Sequence, residues 1–330
     1  MNNKQRLVYF NGKFVPGSEA RISIYDSALM FGDMVFEMTR SFNGKQDKLR
    51  EHIERLYKGL RILRIPITYS VDELIEICDN IQQINKPYFN DTDEHRLLIN
   101  ISRGPLGIYH RIFDKVEPTV VVADFPLKWT VAGMSDLLNY ENGINAVIVS
   151  QRAIPASLLE PKIKNRSRLF YQMANIQASQ YAGKNNWAVL LDPDGYLTEG
   201  TGDNIFLVKD NVIYTPEPRN ILIGITRNYI FELAAELNIE VIEKNLEEYD
   251  AYDCDEFFMT ATPFCLLPVF KFNGLEISKE IGPITQKLHD LWSEKVGLNI
   301  WDQIKFFTEE CNDLNNDQPT PYVFNTDSNS

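Results

Sequence analysis

Two helical periods that follow one another without a strand between them set the tightest limit on how this chain can fold. Residues 50–65 place Ile53, Leu56, Tyr57, Leu60 and Leu63 at the i, i+3, i+4, i+7 spacing of a helix that buries one face. Pro66 ends it. Residues 72–84 repeat the period with Leu74, Ile77, Cys78, Ile81 and Ile84, beginning beside the capping candidates Ser70 and Asp72. Strand-like runs lie on both sides: 7–10 and 13–15 around the hairpin signal Asn11-Gly12, 35–42 ending at Asn43-Gly44, 97–102, and 119–125. Strands gathered around a helix pair, without regular alternation, read as an α+β unit.

After residue 126 the order of elements changes. Residues 127–143 are weakly periodic and read as an interdomain linker. A strand over 145–150, a helix over 168–181, a strand over 187–191 and a hairpin over 205–214 follow. A helix over 226–237, strands over 240–242 and 256–260, and a helix over 284–296 complete a second, mixed α/β domain. The 330 residues suffice for two cores. The expected organisation is a small N-terminal α+β domain (1–126), the linker (127–143), a C-terminal domain (144–308) and a tail (309–330) too polar to order itself.

A net charge of −13 argues against a nucleic-acid partner, which requires a concentrated positive surface. Cys78, Cys254, Cys265 and Cys311 show no C-x-x-C spacing and fit a reducing compartment. The histidines include no i, i+4 pair, so no metal site is indicated. The first residues lack a signal-peptide core, and no run reaches the roughly 18 apolar residues of a membrane helix. These features predict a cytoplasmic protein with no membrane partner.

Two stretches carry candidate chemistry: Glu160-Pro-Lys-Ile-Lys-Asn-Arg-Ser-Arg-Leu169, and Leu197-Thr-Glu-Gly-Thr-Gly-Asp-Asn-Ile-Phe206. The first offers Lys162 or Lys164 as an amine, the second Glu199 as an acid beyond the turn Asp192-Pro-Asp-Gly195. A lysine with its ordinary pKa of about 10.4 is a poor nucleophile, so a reactive one needs desolvation or a neighbouring cation. Arg166 and Arg168 lie close to Lys164 in sequence. Gly224, Ile225 and Thr226 open the helix over 226–237 and would present free N–H groups to an anion. Arg55 lies off the apolar stripe of its helix, and pattern alone makes it a solvated side chain.

Lys-Asn after a Pro-x-x segment, Thr-Glu-Gly-x-Gly-x-Asn, Gly-Ile-Thr-Arg before a helix, and His52-Ile-Glu-Arg-Leu56 occur in an order that resembles the fold-type IV pyridoxal-phosphate enzymes. That family includes branched-chain, D-amino-acid and (R)-amine aminotransferases and aminodeoxychorismate lyases. The resemblance covers residues 5 to about 300. It implies a two-domain α+β fold, with a smaller N-terminal α/β sandwich and a larger, barrel-like C-terminal mixed α/β domain, acting as a homodimer with pyridoxal 5′-phosphate as cofactor. Lys164 would be the Schiff-base lysine, Glu199 the partner of the pyridine nitrogen, and Asn204 the brace of its turn. Arg55, Gly224, Ile225, Thr226 and Thr262 would hold the phosphate. The loop of Ala261 and Thr262 would offer N–H groups to a substrate carboxylate.

Ser27-Ala-Leu-Met-Phe-Gly32 and Val35-Phe-Glu-Met-Thr-Arg40 look like the branched-chain pattern, with Phe36 as a pocket wall and Arg40 as its strand-end arginine. Phe31 and Met38 replace that subfamily's tyrosine and glycine, which implies an altered pocket. Arg103-Gly104 resembles the D-amino-acid and (R)-amine enzymes instead. Arg40, Arg96 and Arg103 are candidates for a substrate carboxylate, which a planar guanidinium matches bidentately. Arg96 and Asn100 share a strand face and are expected to line the pocket. The implied function is transamination between an amino donor and a 2-oxo acid, branched-chain-like. The alternatives are a D-amino-acid or (R)-amine aminotransferase, an aminodeoxychorismate-type lyase, and a cofactor-binding protein without turnover.

Overall fold

The computed structural model describes residues 5–134, 138 and 140–310. The chain divides into two compact units, Met1–Leu127 with Ile163–Arg168, and Lys128–Lys162 with Leu169–Ser330. The return of Ile163–Arg168 to the first unit departs from the single cut between 126 and 144 expected from sequence.

In the first unit β1 (Leu7–Phe10) and β2 (Lys13–Pro16) form a hairpin across Asn11 and Gly12, both at positive φ (45° and 86°), the turn that matches strand twist. A short helix, α1 (Ser27–Phe31), is capped by Asp26 and closed by left-handed Gly32. Strand β3 (Met34–Met38) then stops earlier than the expected strand over 35–42. Residues Ser41–Phe42 (β4) pair only with Lys45–Gln46 (β5). The cause is capture by a side chain: Glu94 accepts from the Ser41 hydroxyl and from the N–H groups of Asn43 and Gly44, drawing that stretch off the sheet.

Helix α2 (Leu49–Leu63) ends where Arg64 turns left-handed, and α3 (Val71–Asn85) opens on a capping box of Ser70 and Glu73. Strands β6 (His95–Ser102) and β7 (Thr119–Pro126) complete an antiparallel sheet of order β2-β1-β7-β6-β3. Ile53, Leu56 and Leu60 of α2 and Leu74, Cys78 and Ile81 of α3 pack on Leu97, Ile99, Ile101, Val120 and Val122. The helices therefore cover one sheet face. Phe36, Met38, Arg96, Leu98 and Asn100 lie on the other by strand alternation.

The second unit begins at Lys128, within α4 (Leu127–Ala132), which occupies part of the expected linker; positions 135–137 and 139 of that linker lie outside the described residues. Then come β8 (Ile144–Ile148), α5 (Leu169–Ala178), β9 (Asn186–Leu191), β10 (Leu197–Gly200), β11 (Asn204–Lys209), β12 (Val212–Pro216) and α6 (Ile225–Glu236). They are followed by β13 (Val241–Lys244), α7 (Glu248–Asp253), β14 (Glu256–Ala261), β15 (Cys265–Phe272), β16 (Leu275–Glu276), α8 (Pro283–Val296) and α9 (Ile300–Glu310). The pairing runs β10-β9-β8-β15-β14-β11, and Glu199 opposite Asn204 returns β11 to β10, closing a six-stranded barrel. Helix α9 reaches Glu310, so the expected tail loses its first two residues to a helix and the rest lies outside the described residues. Among the described residues no helix is long and apolar enough to cross a membrane.

Candidate active site

The sequence-predicted residues fall into two groups, one in each unit. In the first, Ile163–Arg168 lies along the free edge of β3. Phe36 N–H donates to the Lys164 carbonyl (2.9 Å), Arg166 N–H donates to the Met34 carbonyl (3.1 Å), and Val35 bridges to Asn165. Because Ile163 enters the core under α2, alternation turns Lys164 and Arg166 to the opposite face, that of Phe36. Lys164 Nζ stands 5.0 Å from the Phe36 ring centre. Lys162 Nζ is paired with Glu160 at 3.0 Å. Gly59 of α2 makes room for this arrangement: a Cβ there would stand 3.1 Å from Val35 and 3.4 Å from Ile163.

Arg55 is not the solvated side chain its pattern suggested. Its Nε and Nη2 grip the buried carboxylate of Glu37 at 2.6 and 2.7 Å, and His52 Nδ1 lies 2.8 Å from the same carboxylate. Burial alone would raise the Glu37 carboxyl, but Arg55 and His52 hold it well below the ordinary carboxylate range. His52 is lowered, mainly by burial against the pull of Glu37, with Arg55 and Lys164 adding to the fall. Glu37 and His52 were missed by the sequence reading. A carboxylate one residue past Phe36 on a strand, facing an arginine on the covering helix, was the available signal.

The three arginine candidates occupy different places. Arg103 donates to Asp33 (2.6 Å) and to the carbonyls of Leu63 and Arg64 (2.8 and 2.9 Å), so it closes the C-terminus of α2. Arg40 is buried with its guanidinium 3.9 Å from the Phe42 ring centre. Arg96 is buried beside Met38, with Nη2 3.6 Å from Sδ. Asn100 is engaged by Arg166, whose Nε and Nη2 donate to its Oδ1 at 3.2 and 2.9 Å. Phe31 ends α1 and is exposed.

In the second unit, Glu199 sits on β10 with 5% of its surface exposed. Tyr171 of α5 donates its hydroxyl to Oε1 (2.6 Å), while the Asn204 amide (3.1 Å) and the Leu222 N–H (2.9 Å) donate to Oε2. A hydroxyl, an amide and a backbone N–H thus fix one carboxylate in one orientation. The Asn204 amide also donates to the Leu222 carbonyl at 3.0 Å. Tyr171 was missed because a tyrosine on an apolar helix looks like core.

Gly224 is the N-cap of α6, where no side chain caps the helix and the first-turn N–H groups of Ile225 and Thr226 lack intrahelical acceptors. A Cβ on Gly224 would stand 2.2 Å from Asn204 Oδ1, so a glycine is required where this loop crosses Asn204. Ala261 ends β14, and Thr262 occupies the tight turn before β15. Behind the turn of residues 200–203, Asp203 is buried and accepts from the Trp187 indole N–H at 2.7 Å. Burial pushes its carboxyl up to about 7 against that bond, and the charge of Glu199 adds to the rise.

The first unit holds a lysine among cations, and the second holds a fixed buried carboxylate and an uncapped helix start; each is a kind of group that a phosphorylated, protonated heteroaromatic aldehyde would require. The family described as "Amino-transferase class IV" matches residues 34–272. A Methanocaldococcus jannaschii protein carrying the name of a branched-chain-amino-acid aminotransferase is 39% identical over 302 residues, 90% of this chain and 99% of that protein. The D-alanine aminotransferase of Staphylococcus aureus is 31% identical over 287 residues, 86% of this chain and 95% of its own. Among solved structures, a T.th. branched-chain amino acid aminotransferase complexed with N-(5′-phosphopyridoxyl)-L-glutamate superposes with a TM-score of 0.77 at 28% identity, covering 89% of this chain and 94% of that one. By family match, identity over most of its length and fold, this chain belongs to the class IV aminotransferases.

Proposed function

We propose that this aminotransferase works with pyridoxal 5′-phosphate joined to Lys164, moving an amino group from an amino acid with an apolar, branched side chain to a 2-oxo acid. The observation that carries the reading is the triple hold on Glu199, a buried carboxylate oriented by Tyr171, Asn204 and Leu222. When bound, the cofactor supplies an electron sink beside the substrate α-carbon and an aldehyde carbon that accepts the amine. Glu199 would face the ring nitrogen and keep it protonated. Gly224, Ile225 and Thr226 at the α6 start, Thr262, and Arg55 in the grip of Glu37 would take the phosphate. Once displaced by the donor amine, Lys164 Nζ would take the proton from the substrate α-carbon and return it to the former aldehyde carbon, on the far side of the transferred nitrogen.

For the substrate, Phe36, Phe31 and Ala261 would form apolar wall, and Thr262, Arg40 and Arg96 remain the proposed polar contacts. The branched-chain names of the archaeal relative and of the superposed structure support that substrate class. The D-alanine relative supports a D-amino-acid donor as the second reading. Arg103, part of the Arg103-Gly104 pair that resembles the D-amino-acid and (R)-amine enzymes, is engaged by Asp33. A panel of L-branched-chain amino acids, D-alanine and (R)-amines, followed by the loss of the bound aldehyde's visible absorbance, tests it. Rapid bleaching by the L-branched-chain set supports the proposal. Bleaching by D-alanine alone replaces it with the second reading, and pyruvate release from aminodeoxychorismate would mark a lyase.

A further inference from the structure

We infer that Arg166 recognises a carboxylate of the substrate and so sets specificity beside the reactive amine. The inference rests on the assignment of Lys164 above and on geometry within the first unit alone. Lys164 and Arg166 are two residues apart on one edge segment and project from the same face, about 6–7 Å apart along it. The Arg166 guanidinium lies 3.6 Å from the Phe36 ring centre, and its Nε and Nη2 donate to Asn100 Oδ1. Phe36 and Asn100 are themselves opposed residues of β3 and β6. The ring thus supports the guanidinium and the amide sets its rotation, which is how a planar fork is organised in advance for a carboxylate.

Charge points the same way. Arg168 Cζ stands 5.1 Å from the same ring, and two guanidinium cations around one phenyl favour an anionic ligand. A substrate whose α-carbon is placed for Lys164 Nζ carries its α-carboxylate one bond away from that carbon. In a dicarboxylic substrate a second carboxylate lies a few bonds further. Either reaches a guanidinium at this spacing, and the charge is shared chemistry for both.

The test uses holoprotein and dead-end ligands, so that binding is read without turnover. Dissociation constants for 4-methylvalerate, glutarate and the neutral 4-methylpentanamide are measured from perturbation of the bound cofactor's absorbance, in wild type and in Arg166→Gln, with Arg166→Lys as the charge-retaining variant. Arg166→Gln should weaken the carboxylates about ten- to hundredfold while leaving the amide unchanged, the loss expected of a charge-assisted hydrogen bond. Arg166→Lys should recover part of it. Weakening of both acids identifies the α-carboxylate as the ligand, and weakening of glutarate alone identifies the distal one. Equal effects on acids and amide, or no effect on any, overturn the inference. A wild type that never acquires visible absorbance sinks the Lys164 assignment instead, so the two failures are distinct.

Discussion

Glu199 shows how much of this site is set by single hydrogen bonds. Tyr171→Phe removes the bond to Oε1 without changing the shape of the helix face, and should lower kcat about tenfold, the ordinary effect of losing a hydrogen bond to a charged group. Steady-state kinetics on holoprotein checks it, and an unchanged kcat would show that the orientation of Glu199 does not depend on α5. Asp203, behind the same turn, predicts a pH effect. Its carboxyl is raised from 3.8 to about 7 in the folded chain, so between those values the folded state keeps a proton that the unfolded state has lost. Stability therefore falls as pH rises through that interval, and the penalty is complete above it. Asp203→Asn abolishes this contribution. The Tm of the variant minus that of the wild type should grow between about pH 5 and about pH 8, whereas a constant difference would mean that Asp203 titrates at its ordinary value.

At the scale of elements, α2 and α6 do the positioning. Helix α2 presses the core under β3 and under the segment that bears Lys164. Leu56→Ala, at a fully buried position, should cost about 2–5 kcal/mol in chemical denaturation. The start of α6 is tighter still. Gly224→Ala sets a methyl against Asn204 Oδ1, and should weaken cofactor affinity measured by absorbance titration as well as lower Tm; full affinity would separate the helix start from the phosphate.

These elements were unequally legible. The α2 and α3 periods, the Ser70 cap and the Asn11-Gly12 turn follow from local chemistry, and the sequence states them openly. Strand β15, which closes the barrel between β8 and β14, was not read: its apolar run contains Pro268, which sits opposite Phe258 in register, and a proline argues against a central strand. The break in the strand over 35–42 depends on Glu94, fifty residues away, and no window contains it. The grip of Glu37 on Arg55 is likewise a contact between a strand and a helix, whereas Lys164, Glu199 and Gly224 stand inside short motifs and could be named from them.

At the scale of the whole molecule, the chain distributes its chemistry: the amine and the Arg55–Glu37 pair belong to one unit, the Glu199 cage and the α6 start to the other. We propose the homodimer that the family resemblance implies, in which the large apolar side chains exposed in the first unit, Ile24, Leu29, Phe31 and Ile108, would be covered. Light scattering should return the mass of two chains, and a single-chain mass in active fractions would contradict it. The claim on which everything else depends is the identity of the reactive amine. Borohydride reduction of the cofactor-loaded protein, followed by mass mapping of its peptides, addresses it directly. The account predicts the phosphopyridoxyl mass on Lys164 and its disappearance in Lys164→Ala, while the mass on Lys162 or any other lysine, or on none, would contradict it.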